Sequence, residues 1–258
     1  MKLECMTNPF DVGIPLKINR ESKINHPDKI GWPDDFSEEL RRKLAYLGTL
    51  KVIGRGQPVC YNTEDPGSIC ILTSGALKSQ IFDAEGTYAI LGFYLPGEII
   101  SLHTSPVPSL PYETIALSTC QLYILSTDAL KPLLISHPEF FDFYHKVSQM
   151  ALLDAYRRTI LTGNLDSDQK IAFLLLNLYS RIKHQQEEST HFQLPMSRIE
   201  ISQHLFLSPE TVSRSFSKFQ MKGLIQADRN EIYIKNQCGL FNVLSCQQEC
   251  SPAIARPA

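Results

Sequence analysis

The side chains best suited to act on a partner molecule lie between Met196 and Ile225, in MSRIEISQHLFLSPETVSRSFSKFQMKGLI. In its second half Val212, Phe216 and Phe219 recur at helical spacing, while Glu210, Ser213, Arg214 and Lys218 share another face of the same helix. On such a face an arginine can donate two hydrogen bonds to guanine O6 and N7. A glutamate can accept from cytosine N4, and a serine can meet a base edge or a thymine methyl. Glu210, Ser213 and Arg214 are therefore the candidate base-reading residues. Ser197, Arg198, Thr211 and Lys218 are candidates for phosphate contacts, which position a protein on a duplex without reading its sequence.

The surrounding sequence has the elements needed to hold that face. Arg198 to Leu205 reads as a short helix with Ile199 and Leu205 turned inward, and the connection FLS is brief. Ser208 is placed as the N-cap of the next helix and Pro209 at its first position, where a missing N–H costs nothing. Gly223 suits a left-handed cap, and LIQADRNEIYI reads as a hairpin turning at Asp228-Arg229-Asn230. Helix, tight turn, helix and wing make a winged helix-turn-helix, assigned with its preceding helix from Asp168 to His184 to residues 164–236. Residues 237–258, with Pro252 and Pro257, read as a largely frayed tail.

Upstream the pattern changes. Residues 1–35 carry Pro9, Pro15, Pro27 and Pro33 and read as an extended arm laid on another part of the protein. FSEELRRKLAYL, from Phe36 to Leu47, is a short amphipathic helix with Asp34 or Asp35 available as a cap. From Lys51 to Leu130 the short stretches KVI, SICILT, ALKSQIF, TYAILGFYL, EIISL and CQLYIL alternate with glycines, the spacing of an antiparallel roll of about eight strands. The roll is assigned to residues 36–135 and a long helix after His137-Pro138 to residues 137–162. On that helix Phe140, Tyr144, Val147 and Ala151 fall at coiled-coil offsets, with Phe143, Met150, Leu153 and Ile160 widening the apolar surface. Either the helix packs on the roll alone, or its second face pairs with the same helix of another chain. The fold class is thus α+β: an N-terminal antiparallel β-roll, or jelly roll, a long dimerisation helix and a C-terminal winged helix-turn-helix.

These motifs resemble the CRP/FNR superfamily, the cyclic-AMP receptor protein and fumarate-and-nitrate-reduction regulators. The resemblance is nearest to the FNR-like branch in LSPETVSRSFSKFQMKGLI and runs from about Lys51 to Lys235. IGRGQPVCYNTEDPGSICILTSGALKSQIFDAEGTYAILGFYLPGEIISL is similar to the family's roll, with its ILTSGALK strand and PGE turn. The resemblance implies a homodimer on a palindrome, RNA polymerase as a partner, and a TTGAT-like half-site read by Glu210, Ser213 and Arg214. Phe206 departs from the family, which usually has glycine between the two helices; a bulky residue is disfavoured there if φ is positive.

No cofactor is expected, and the effector stays open. The family holds a cyclic nucleotide's phosphate with an arginine and a small hydroxyl residue after the Gly-Glu turn. Here Gly97-Glu98 is present, but no Lys or Arg lies between Lys78 and Lys131, and Tyr112-Glu113 stands where that pair belongs. An FNR-type iron–sulfur cluster needs three closely spaced N-terminal thiolates, and Cys5 alone precedes Cys60. Cys5, Cys60, Cys70 and Cys120 are candidates for a redox pair, Cys5 and Cys120 first among them, and the alternative is that they are ordinary buried thiols. Cys246 and Cys250 lack a second pair for a metal site, so no metal is expected.

A cupin-like enzyme on the roll would need several histidines on its strands, and residues 51–130 hold only His103, itself a weak haem-ligand candidate. The chain therefore reads as no enzyme. An interaction module whose helix-turn-helix no longer reads DNA remains open. The net charge is −2, with 15 Lys/Arg against 18 Asp/Glu in residues 1–162 and 10 against 9 in residues 163–258, so charge alone would not suggest DNA. Seven cysteines without dense spacing, no secretory-type start and no run of roughly 18 apolar residues place the chain in the cytoplasm and away from membranes.

Overall fold

The computed structural model describes residues 16–18, 30–59, 68–82, 85–86, 88–101, 112–185 and 191–245. After two short strands, β1 (Lys17–Ile18) and β2 (Ile30–Gly31), comes α1 (Glu38–Leu47). The roll follows as β3 (Thr49–Ile53), β4 (Ile69–Ser74), β5 (Leu77–Phe82), β6 (Tyr88–Tyr94), β7 (Ile99–Ser101), β8 (Tyr112–Ala116) and β9 (Cys120–Leu125). Two helices lead out of it, α2 (Thr127–Ser136) and α3 (Pro138–Asn164). The C-terminal unit comprises α4 (Ser167–Gln185), β10 (His191–Gln193), α5 (Arg198–Leu205), α6 (Pro209–Met221), β11 (Ile225–Asp228), β12 (Glu231–Ile234) and α7 (Gln237–Ser245).

The roll consists of two antiparallel sheets, ordered β3-β9-β4-β7 and β6-β5-β8. The continuous apolar runs in β4 and β9 follow from burial on both faces of the first sheet. Cys70, Leu72, Cys120 and Leu122 point into the roll with Ile53, Leu77 and Ile100. Ile69, Ile71, Tyr123 and Leu125 point the other way, onto a cluster made with α1, α2 and the start of α3. The Tyr123 hydroxyl, buried there, donates to the Leu44 carbonyl. Strand β8 was not anticipated from the sequence.

The described part of the N-terminal segment is laid on this second cluster. Leu16, Ile30 and Trp32 are buried in it, and Trp32 stacks on Phe36, which meets Phe140 and Phe143 edge-on. Helix α1 is capped by Ser37, whose hydroxyl accepts from the Leu40 N–H, and not by Asp34 or Asp35.

The same aromatic cluster revises the expected seam of α3. Phe140 is fully buried against the chain's own α1 and N-terminal segment, so it is withdrawn from any partner, while Tyr144 and Val147 are half-buried at the edge of that cluster. Beyond them Ala151, Leu152, Leu153 and Tyr156 are exposed. The helix also continues past Gly163 to Asn164, where the sequence suggested an earlier end.

In the C-terminal unit, Ile171, Leu175 and Leu178 of α4 share one core with Ile201, Val212, Phe216 and Phe219. Residues 237–245 pack on this core through Leu240, Phe241, Val243 and Leu244. They form α7, whose buried Leu240 packs there, so this part of the expected frayed tail is a structural helix. Gln169 Nε2 donates to the Val243 carbonyl at 3.4 Å, joining α4 to α7.

Candidate nucleic-acid interface

Helix α5 starts with a complete capping box: Ser197 Oγ accepts from the Glu200 N–H and Glu200 Oε2 accepts from the Ser197 N–H at 2.8 Å. Its inward residues are Ile201 and Leu205, with Ser202 beside them, whereas Ile199, expected inside, is 58% exposed. Between α5 and α6 the backbone of Phe206 is left-handed, with φ 55° and ψ 50°, and its side chain is exposed. The turn keeps the geometry that glycine adopts freely, and Phe206 bears the strain.

Helix α6 begins as expected, with Ser208 Oγ accepting from the Thr211 N–H and Pro209 in the first turn. Its buried stripe is Val212, Ser215, Phe216 and Phe219. Gly223 follows in the left-handed conformation, with φ 65°. The wing is the antiparallel pair β11–β12, in which Asp228 faces Glu231 across a two-residue turn and Arg229 has φ 50°. Strand β10 adds to its other side.

The three candidate base-reading residues come together on the open side of α6. Glu210, Ser213 and Arg214 are all exposed. Ser213 Oγ donates to the Pro209 carbonyl at 2.9 Å, and the Glu210 carboxyl is held below its usual range by its own backbone N–H, the Ser208 hydroxyl and the Arg214 charge.

Among the phosphate candidates, Ser197 is exposed at the start of α5 and Thr211 is half-buried, its hydroxyl 3.0 Å from Ser208 Oγ. The other two are engaged by other elements of the fold. The Arg198 guanidinium lies 3.5 Å from the centroid of the Phe216 ring, and burial lowers its pKa. Lys218 Nζ donates to Asp168 Oδ2 of α4. The same carboxylate accepts from Ser215 Oγ at 2.6 Å. Burial works against the Asp168 charge, but the bonds from Lys218 and Ser215 outweigh it and lower the pKa, while Asp168 raises that of Lys218.

The opposite side of the unit is sealed against the roll. Arg181 of α4 reaches Glu98 of the PGE turn with Nε on Oε1 and Nη2 on Oε2, both at 2.6 Å, and Nη2 also donates to the Phe93 carbonyl. Lys78 of β5 donates to Glu200 at 3.0 Å, Gln203 donates to the Tyr88 hydroxyl, and the His204 Nδ1 lies 3.0 Å from the Ile90 carbonyl. Ile90, Phe93 and Leu95 of the roll are buried in the core of the C-terminal unit. No sequence motif pointed to Asp168, Arg181 or Lys78, since each partner is remote in the chain. The acidic first turn of α4 was the one local signal for Asp168.

Cys120, one candidate of the redox pair, is fully buried, and its thiol donates to the Ala76 carbonyl. Burial raises its pKa and pushes that of Cys70 up to about 12, the reverse of what a reactive thiolate requires. Cys5, Cys60, Cys246, Cys250 and His103 lie outside the described residues.

A Crp-like helix-turn-helix domain model matches residues 169–242, a span that takes in most of α4, both helices α5 and α6, the wing and most of α7. Transcriptional activator protein anr of Pseudomonas aeruginosa is 30% identical over 205 residues, which are 77% of this chain and 84% of that protein. The chain belongs to the CRP/FNR family of transcription regulators. Its fold agrees: FixK2 from Bradyrhizobium japonicum superimposes with a TM-score of 0.65 at 22% identity, covering 76% of this chain and 96% of that one. A crp/fnr-family regulator from Eubacterium rectale gives 0.58 at 16% identity, covering 82% and 96%. The roll and the winged unit are thus the two parts of a CRP/FNR regulator, and α6 is the second helix of its helix-turn-helix. No described helix is long and apolar enough to cross a membrane.

Proposed function

We propose that this CRP/FNR regulator acts as a cytoplasmic homodimer on a palindrome of TTGAT-like half-sites, with RNA polymerase as its partner in transcription and without catalysing a reaction of its own. The observation that carries this reading is the open face of α6, where Glu210, Ser213 and Arg214 stand exposed on a helix fixed from behind by Val212, Phe216 and Phe219. Ser197 and Thr211 position the helix on phosphates. The exposed Ala151, Leu152, Leu153 and Tyr156 on α3 supply the surface for the second protomer.

Its signal is neither an FNR-type iron–sulfur cluster nor cyclic AMP in the usual pose. Cys5 alone precedes Cys60 in the sequence, and no Lys or Arg lies between Lys78 and Lys131 to meet a cyclic nucleotide's phosphate.

The test is binding to a labelled TTGAT-N4-ATCAA duplex against a scrambled duplex at one stated salt concentration. Selective binding supports the reading; equal binding to both duplexes would replace it with the non-reading interaction module. Leu153→Asp is expected to shift the protein from dimer to monomer in sedimentation, and a dimer that persists would remove α3 as the interface.

A further inference from the structure

Lys218 is the cation of α6 that should meet a phosphate, yet another helix already holds it. Asp168, in the first turn of α4, is bonded to two residues of α6 that lie three positions apart, Ser215 through Oδ1 and Lys218 through Oδ2. The two bonds differ in character. Ser215 is 3% exposed, and its hydroxyl, set among the apolar stripe of α6, is satisfied by this carboxylate. The Lys218 side chain is 49% exposed and that of Asp168 is 22% exposed, so the ion pair lies at the rim where the buried side of α6 meets solvent.

We infer that Asp168 is a positioning residue for DNA reading, which fixes the setting of α6 through Ser215 and withholds Lys218 from the phosphate backbone. This rests on the assignment of α6 as the DNA-reading helix. A carboxylate that grips a helix at two points one turn apart resists both its rotation and its sliding along its axis, the two movements that would carry Glu210, Ser213 and Arg214 off a base edge. A lysine already neutralised by a carboxylate releases no counterion when DNA arrives. An unpaired one contributes about 0.9 to the slope of log affinity against log salt.

The experiment measures that slope on the TTGAT-N4-ATCAA duplex for four full-length proteins: wild type, Asp168→Asn, Lys218→Ala and the double variant. Asparagine keeps an oxygen for Ser215 and frees the lysine, so Asp168→Asn should bind with a slope steeper by about 0.9 per protomer while keeping its preference over the scrambled duplex. Lys218→Ala should leave the wild-type slope unchanged, because the removed charge was not in use. The double variant should return to the wild-type slope, which separates the freed lysine from the mere loss of a negative charge near DNA. A slope that Lys218→Ala flattens by about 0.9 per protomer, or that Asp168→Asn leaves as it was, overturns the inference while wild-type selectivity leaves the reading of α6 intact. Wild type that does not distinguish the two duplexes defeats the reading itself. Lys218→Ala alters an exposed side chain, so it decides the question even if Asp168→Asn fails to fold.

Discussion

Helices α5 and α6 are adjacent, both begin at a capping serine, and both are rich in polar residues, yet their polar groups meet opposite fates. On α5 the Arg198 guanidinium covers Phe216, Glu200 closes the capping box and takes Lys78, Gln203 reaches Tyr88, and His204 packs on Phe93 and Ile90. On α6 Glu210, Ser213 and Arg214 are left on the open surface. The roll is therefore a structural wall of the helix-turn-helix unit: it takes up Glu200, Gln203 and His204 on one side and leaves the face of α6 on the other side open. A polar residue in a helix-turn-helix is free to read a base only if no other element of the fold has claimed it.

The largest effect should come from breaching that wall. Arg181 and Glu98 have side chains only 10% and 15% exposed, and the carboxylate faces the guanidinium through two bonds. Replacing such a pair with apolar groups can be neutral, but removing one partner strands the other charge, at a cost of about 3–5 kcal/mol. Glu98→Ala should lose stability of that order in urea unfolding, and Arg181→Ala should cost about as much. A loss below about 0.5 kcal/mol, the level of an exposed pair, would show that water reaches the seam and that the two sides of the unit differ less than the burial indicates.

On the open side the effect should fall on binding and spare the fold. Arg214→Ala should lose about 1–3 kcal/mol of affinity for the TTGAT palindrome and relax discrimination at the guanine, with its urea midpoint unchanged. If wild type and Arg214→Ala bind the palindrome equally, direct reading by this residue is wrong. If the midpoint falls instead, Arg214 belongs to the same structural class as Arg181.

The two sides were unequally legible in the sequence. The face of α6 follows from its own periodicity, because Val212, Phe216 and Phe219 fix its rotation and so decide what is left outside. Strands β4 and β9 were readable as unbroken apolar runs, since both faces of their sheet are covered. Helix α5 is only eight residues long, and Ile199 and Ile201 offer two phases; the packing chooses Ile201, and nothing local decides it. Phe140 has the correct offset for a coiled coil, but Trp32 and Phe36 bring an aromatic cluster to that end of α3 from about a hundred residues upstream. The Arg181–Glu98 pair spans 83 positions and Asp168–Lys218 spans 50, distances over which spacing carries no signal. Helix α7 contains Gly239 and reads as tail until Leu240 is seen in the core, although Asn236 caps it, its Oδ1 accepting from the Gly239 N–H at 2.7 Å.

The smallest effect belongs to the joint between the two helices. Phe206 sits at φ 55°, where a side chain costs about 1–2 kcal/mol that glycine does not bear. Its ring is 69% exposed, so little burial would be lost on removing it. Glycine also gains freedom in the unfolded chain, which offsets about 0.5–1 kcal/mol of the relief. Phe206→Gly should therefore raise stability slightly, by less than about 1 kcal/mol in urea unfolding, and leave DNA selectivity as it is. A loss of selectivity with stability retained would mean that the ring, which faces solvent beside the start of α6, touches the DNA, and the open side of the unit would then extend one turn back from Ser208.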